Sequence, residues 1–204
     1  MGVDKPGPGE ELNTGAATTP REAATVIVLR GAGDALEVLL VKRNPAQRFM
    51  GGAWVFPGGA VDADEDHRVA GVREVAEEAA VELPDAEALI EFSRWITPEQ
   101  VKIRFDTRFY LVAAPDDAAP VVDGEECVDA GWFSPAGALE AYARDEILLV
   151  FPTIKTLEQL APFGSAAELL DWATGREVVP IEPRVVMEGE VARVVLPGEP
   201  GDEA

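Results

Sequence analysis

The chain has one cysteine, Cys127, and one histidine, His67, in 204 residues. A single thiol forms no internal disulfide, and one Cys with one His cannot supply the ligand sets that hold structural zinc. Basic residues are also scarce: 17 Lys plus Arg stand against 38 Asp plus Glu, a formal net charge of −21. Such a surface repels a polyanionic backbone and argues against polymeric DNA or RNA as partner. A small phosphate ester is not excluded, because a bound cation and a few local arginines reverse the sign inside one cleft. No apolar run approaches the length of about 18 residues that reads as a membrane span, and Met1 to Pro20 lacks the basic start and apolar run of a secretory signal. With a lone thiol, these absences predict a cytoplasmic protein without membrane contact.

Hydrophobic residues make up 47% of the chain, enough at this length for one buried core. Residues 1–22 mix Gly, Pro, Thr, Ala and acidic residues without apolar periodicity and are expected to form a disordered leader. Residues 23–197 are expected to form a single domain, and 198–204 a flexible tail. Ala24 to Arg30 and Leu36 to Arg43 read as two strands joined by a tight turn through Gly-Ala-Gly-Asp. Trp54-Val55-Phe56 is a short strand stopped by Pro57-Gly58-Gly59. A helix begins near Asp66, and Pro84 is expected to close it. Leu89 to Ile96, Arg104 to Ala113 and a segment ending at Trp132-Phe133 read as strands. Pro135 to Arg144, Pro152 to Leu160 and Ala166 to Ala173 read as helices, while Val178 to Leu196 holds short apolar runs of edge-strand character. The fold class predicted is α+β, a mixed sheet sandwiched by helices.

The most informative stretch runs from Gly59 to Val81. It sets Gly59, Glu65, Arg73, Glu74, Glu77 and Glu78 in one fixed frame that ends on a helix. At about 100° per residue, Glu74, Glu77 and Glu78 share one face, and Val69, Val72, Ala76, Ala79, Ala80 and Leu83 are expected to pack on the other. Two carboxylates about 4 Å apart repel by roughly 4 kcal/mol at an effective dielectric near 20, so crowding three calls for a cation. Oxygen donors without His or Cys partners select hard ions, Mg²⁺ or Mn²⁺, and such ions work on phosphate chemistry. Arg73 can hold one or more of the carboxylates with its forked guanidinium. Gly58 and Gly59, lacking Cβ, let the backbone approach a ligand or metal.

Gly59, five residues, Glu65, seven residues and then Arg73-Glu74-Val75-Ala76-Glu77-Glu78-Ala79-Ala80-Val81 resembles the box of the Nudix hydrolase superfamily. Six such positions coincide by chance about once in ten million frames. Ala80 departs from the family's Gly and is expected to favour helix continuation over termination. The resemblance implies a mixed sheet between helices and hydrolysis of a nucleoside diphosphate linked to another moiety. By position it makes Glu74, Glu77, Glu78 and the carbonyl of Gly58 ligands of one or more Mg²⁺, with Glu65 as an outer or additional ligand. It also implies an acid from a later loop before a Trp, a place that Glu126 fits, with Glu125 or Asp129 as alternatives. The water-activating base stays open among Glu77, Glu78 and Glu126. Many members are dimers, and the late helices or the 178–196 tail would offer such an interface.

Upstream, Leu39-Leu40, Arg48, Gly52 and Phe56-Pro57-Gly58-Gly59 partly match a motif of coenzyme A diphosphatases in this superfamily, with Val41 and Arg43 where that motif has Thr and Asn44 where it has Ser or Ala. Lys42-Arg43-Asn44-Pro45, Phe49 to Phe56 and Arg104 to Phe109 resemble the acyl-coenzyme A diphosphatase branch. Arg43 and Arg48 are candidates for a phosphate beyond the scissile diphosphate, and Arg104 for substrate contact beside the aromatics Phe105, Phe109 and Tyr110. Both arginines before the Gly-Gly turn could equally be solvated loop charges, and alternating aromatics are more often core. The leading expectation is a diphosphatase of coenzyme A or its acyl derivative. The competing ones are hydrolysis of ADP-ribose, NADH or a nucleotide sugar and, more distantly, a non-catalytic ligand-binding module.

Overall fold

The computed structural model describes residues 11–13, 15–188 and 191–199. The first strand, β1 (Arg21–Arg30), is the hub of the sheet. Its run Val26 to Leu29 is buried on both faces, as expected of a strand flanked by neighbours and covered by helices. β1 pairs antiparallel with β2 (Glu37–Arg43) at its C-terminal end, where Leu29 faces Val38. At its N-terminal end it pairs antiparallel with β4 (Gly58–Ala60), and along its length it runs parallel to β6 (Phe105–Ala113). β2 continues outward to β3 (Ala53–Val55) and β7 (Cys127–Phe133), and β6 to β5 (Ile90–Ile96). Two-residue strands β8 (Leu148–Leu149) and β9 (Pro180–Ile181) edge the sheet. A separate hairpin, β10 (Arg184–Glu188) with β11 (Val191–Val195), follows.

Period-two alternation in β1 divides the core. Ala24, Val26 and Val28 face α1 (His67–Ala79). Ile27 and Leu29 face the layer made by α2 (Pro135–Ala143), α3 (Phe151–Leu160) and α4 (Ala166–Ala173). The result is the expected mixed sheet between helices. Two of the late helices begin on a serine cap: Ser134 accepts from Gly137 N–H, and Ser165 from Glu168 N–H.

Three local expectations are corrected. First, α1 turns its small residues, Ala70, Gly71, Val75 and Ala79, toward the sheet, while Val69 is 49% exposed. A Cβ on Gly71 would lie 2.7 Å from Val26, so close approach of helix and strand, rather than residue hydrophobicity, chose the face. Second, α1 ends at Ala79, not at Pro84. Ala80 caps it in the left-handed conformation at φ 50°, terminating the helix despite its propensity to continue it. Third, part of the leader is placed. Arg21 and Glu22 already belong to β1, Leu12 bridges Val101, and the Glu11 carboxylate pairs with Arg48 and Lys102. Backbone pairing and ion pairs hold this segment, which hydrophobic periodicity does not register. Residues 1–10 and 14 of the expected leader, and 200–204 of the expected tail, lie outside the described residues.

Candidate active site

The Gly58-Gly59 strand and α1 meet edge to face. Asp66 caps α1, its carboxylate accepting from Arg68 N–H, and this fixes where the helix starts relative to β4. Gly59 then lies directly under Glu74: a Cβ there would stand 2.4 Å from a Glu74 oxygen. The neighbouring N–H of Gly58 donates to Glu78 Oε2 at 2.9 Å. Gly59 is therefore required by the Glu74 carboxylate, and Gly58 by β1, since a Cβ there would stand 2.4 Å from the Ala24 carbonyl oxygen.

Arg73 gathers the remaining acids. Its Nη1 donates to Glu74 at 2.8 Å and to Glu77 at 3.0 Å, and its Nε and Nη2 grip the two oxygens of Glu65 at 3.1 and 3.0 Å. A fifth bond ties it to the Ala60 carbonyl. These bonds, that with Glu65 foremost, raise the Arg73 pKa further and hold Glu65 below the ordinary carboxylate value.

The three box glutamates, which helical spacing puts on one face, differ widely in exposure. Glu77 is 59% exposed, Glu74 13% and Glu78 only 3%. Burial pushes Glu78 up to about 7, opposed by the Gly58 N–H and by Arg43, whose Nη1 stands 3.7 Å away. Glu74 is raised by burial too, with Arg73 opposing. The buried Cys127 thiol points at Glu78 Oε1 from 3.7 Å, and burial raises its own pKa. It is packing beside a carboxylate, not an activated nucleophile.

Across the cleft, a register shift between Lys42 and Arg43 in the β2–β7 ladder re-aims Arg43. Its Nη2 reaches Glu126 at 3.2 Å, so Arg43 links Glu126 to Glu78. The loop before β7 is held by Asp123, whose carboxylate accepts from the N–H groups of Glu125, Glu126 and Cys127 and is kept acidic by them. Asp123 was not singled out from sequence, although Asp-Gly-Glu-Glu is a recognisable Asx-turn signal. Of the three acids considered for this loop, Glu126 lines the cleft; Glu125 and Asp129 do not.

The cleft has a volume of about 470 Å³. Gly58, Gly59, Glu74, Glu77, Arg43 and Glu126 form one end. Phe49, Met50, Trp95, Val101, Phe105, Phe109 and Phe151 line most of the remainder, with Pro183, Val185 and Val194 from the C-terminal segment against them. Two expected substrate contacts are not in its wall. Arg48 is 86% exposed and paired with Glu11. Arg104 is buried and satisfied by the Thr97 and Thr18 carbonyls and by Glu182, so it clamps three chain segments together. Arg21, read as leader, does line the cleft.

The donor chemistry suits a hard divalent ion. Among the described residues no cage of three ligands is preassembled, because Arg73 stands between Glu65, Glu74 and Glu77. The buried Glu78, whose one ion-pair partner among the described residues stands 3.7 Å away, leaves negative charge that such an ion would relieve.

With this geometry in view, the similarity to known proteins is informative. Residues 19–153 match the model of the NUDIX domain, and the chain belongs to the Nudix family. It is 31% identical to the human acyl-coenzyme A diphosphatase NUDT19 over 57% of this chain and 32% of that protein. A Caenorhabditis elegans protein described as a nudix hydrolase is 30% identical over 74% of this chain and 62% of its own length. The chain thus spans less than two thirds of either curated relative. A crystal structure of a NUDIX hydrolase from Alicyclobacillus acidocaldarius superposes with a TM-score of 0.68 at 28% identity, covering 76% of this chain and 96% of that one. Among the described residues no helix is long and apolar enough to cross a membrane.

Proposed function

We propose that this chain is a divalent-metal-dependent hydrolase of the diphosphate in coenzyme A or an acyl-coenzyme A. The observation that carries the reading is the joining, in one cleft, of a carboxylate end to a long aromatic wall. Carboxylates with a divalent ion suit a diphosphate, and the apolar wall suits the pantetheine and acyl portion. The likeness to NUDT19 supports the same choice.

Glu74, Glu77, Glu78 and the Gly58 carbonyl would hold Mg²⁺ or Mn²⁺, with Glu65 further out. Held there, such an ion would neutralise phosphate oxygens and make water more acidic. Arg73 keeps Glu74 and Glu77 oriented. Glu126, exposed in the cleft and steered by Arg43, takes the proton from water as its oxygen attacks phosphorus. Glu78 is less suited to that task, since one of its oxygens is occupied by Gly58 N–H. The phosphoanhydride P–O bond breaks, giving adenosine 3′,5′-bisphosphate and a phosphopantetheine. Assembly as a homodimer belongs to the same reading; Trp172 on α4, 43% exposed, marks a surface for it that sedimentation would check.

The test is a Mg²⁺-dependent hydrolysis screen over coenzyme A, dephospho-coenzyme A, ADP-ribose, NADH and nucleoside triphosphates, with Glu77→Gln as control. Coenzyme A or its acyl esters are expected to give the highest kcat/KM, and the variant to be folded yet nearly inactive. Preference for ADP-ribose or NADH would replace the substrate assignment, and equal turnover by the two proteins would remove the mechanism.

A further inference from the structure

In a chain with this excess of acid, almost every cation near the cleft is already neutralised. Arg43 is taken by Glu78 and Glu126, Arg73 by Glu65, Glu74 and Glu77, Arg94 by Asp106, and Arg104 by Glu182. Arg21 is different. It lines the cleft and pairs with no carboxylate among the described residues.

Its position is set by the strand. Arg21, Ala23 and Thr25 share one face of β1 and all line the cleft, while the Arg21 N–H donates to the Arg104 carbonyl at 2.9 Å and fixes the strand's start. Across the parallel ladder Arg21 is in register with Phe105, whose ring centroid lies 6.1 Å from that of Phe49. Three residues further along β1, Ala24 is in register with Gly59, the residue under Glu74. At about 3.3 Å per residue, Arg21 therefore stands roughly 10 Å along the strand from the carboxylate end. A guanidinium with no carboxylate partner among the described residues, on the same cleft wall as Phe49 and Phe105 and one sugar's reach from where a diphosphate would sit, is complementary to a second phosphate and a nucleobase.

We propose that Arg21 binds a phosphate monoester carried by the substrate outside the scissile diphosphate, of the kind found on a nucleoside ribose, with Phe49 and Phe105 flanking the base. This transfers to Arg21 the role that sequence spacing had offered to Arg43 and Arg48. As a determinant of turnover it rests on the diphosphatase reading; as a binding site it does not.

Calorimetric titration of adenosine 3′,5′-bisphosphate and of adenosine 5′-monophosphate into the wild-type protein, Arg21→Gln and Arg21→Lys, with Mg²⁺ present, tests the assignment. A charge-assisted contact predicts that the wild type binds the bisphosphate about 10–100-fold more tightly than the monophosphate, with the preference lost in Arg21→Gln and partly kept in Arg21→Lys. In parallel, KM for coenzyme A should rise in Arg21→Gln with kcat unchanged, while dephospho-coenzyme A is unaffected. A preference that survives in Arg21→Gln, equal affinities in the wild type, or no binding of either nucleotide overturns the assignment. Arg21-dependent binding without hydrolysis of coenzyme A would sink the diphosphatase reading and leave the site standing. Hydrolysis of coenzyme A with an unaltered preference in the variant would do the reverse.

Discussion

At the carboxylate end of the cleft, one stretch, residues 58–78, supplies both glycines, the gathering arginine and four of the acids. At the aromatic end, the wall is drawn from the start of β1, the loop at Phe49 and Met50, strands β5 and β6, the first turn of α3 and the C-terminal hairpin. A local frame can encode chemistry because groups this close in sequence meet with little help from distant segments. Selectivity assembled from six distant segments depends on the whole fold. Substitutions at the first end should therefore be nearly all-or-none, and at the second graded.

The largest effect is expected at Glu126. Glu126→Gln should lower kcat about 10²–10⁴-fold, the usual contribution of a general base, with KM and the melting temperature little changed in steady-state assays and thermal melts. An unchanged kcat would return the base to Glu77 or Glu78. At the other end, Phe151→Ala removes one face of the wall. It should raise KM for a long-chain acyl-coenzyme A about threefold to tenfold, an aromatic contact's worth, while leaving kcat alone. A loss in kcat as deep as that of Glu126→Gln would erase the contrast between the two ends.

Smaller effects concern stability. The folded, metal-free protein holds Glu78 at about 7 against an ordinary 4.5. A raised carboxylate favours folding while it is protonated, so its contribution is present below the ordinary value and lost as pH climbs through about 7. With chelator present, Glu78→Gln should raise the melting temperature at pH 8 and leave it nearly unchanged at pH 4.5. Loss of stability at pH 8 would mean that the carboxylate is not penalised by burial. Smallest is Ala80→Gly, which relieves a left-handed Cβ. At about 1 kcal/mol for that strain, and about 2–4 °C per kcal/mol in a chain of this size, melting should rise by a few degrees with activity untouched.

Most strand segments and most helix spans were legible because apolar runs and caps are local signals: Ala166–Ala173 falls where its sequence pattern puts it. So was the frame around Arg73. The packing face of α1 was not, since a helical wheel weighs Val69 by hydrophobicity and cannot see that Val26 of β1 leaves no room for a Cβ at Gly71. Nor could spacing assign the arginines. Arg104 finds Thr18 and Glu182 some eighty positions away on either side, and Arg48 finds Glu11, so which guanidinium stays free for a ligand is decided by tertiary pairing. Arg21 lay in a segment whose composition read as leader, yet its pairing with β6 places it in the cleft wall.

Whether the helix carboxylates and the glycine strand under them form a divalent-ion site is decided by Mn²⁺ titration followed by electron paramagnetic resonance. The wild type should take up Mn²⁺ stoichiometrically. Gly59→Ala, whose new methyl displaces Glu74, should weaken uptake about 10–100-fold, as disturbing ligand orientation does, with Mg²⁺ competing in both proteins. Equal Mn²⁺ affinity in the two proteins, or none in the wild type, would rule such a site out.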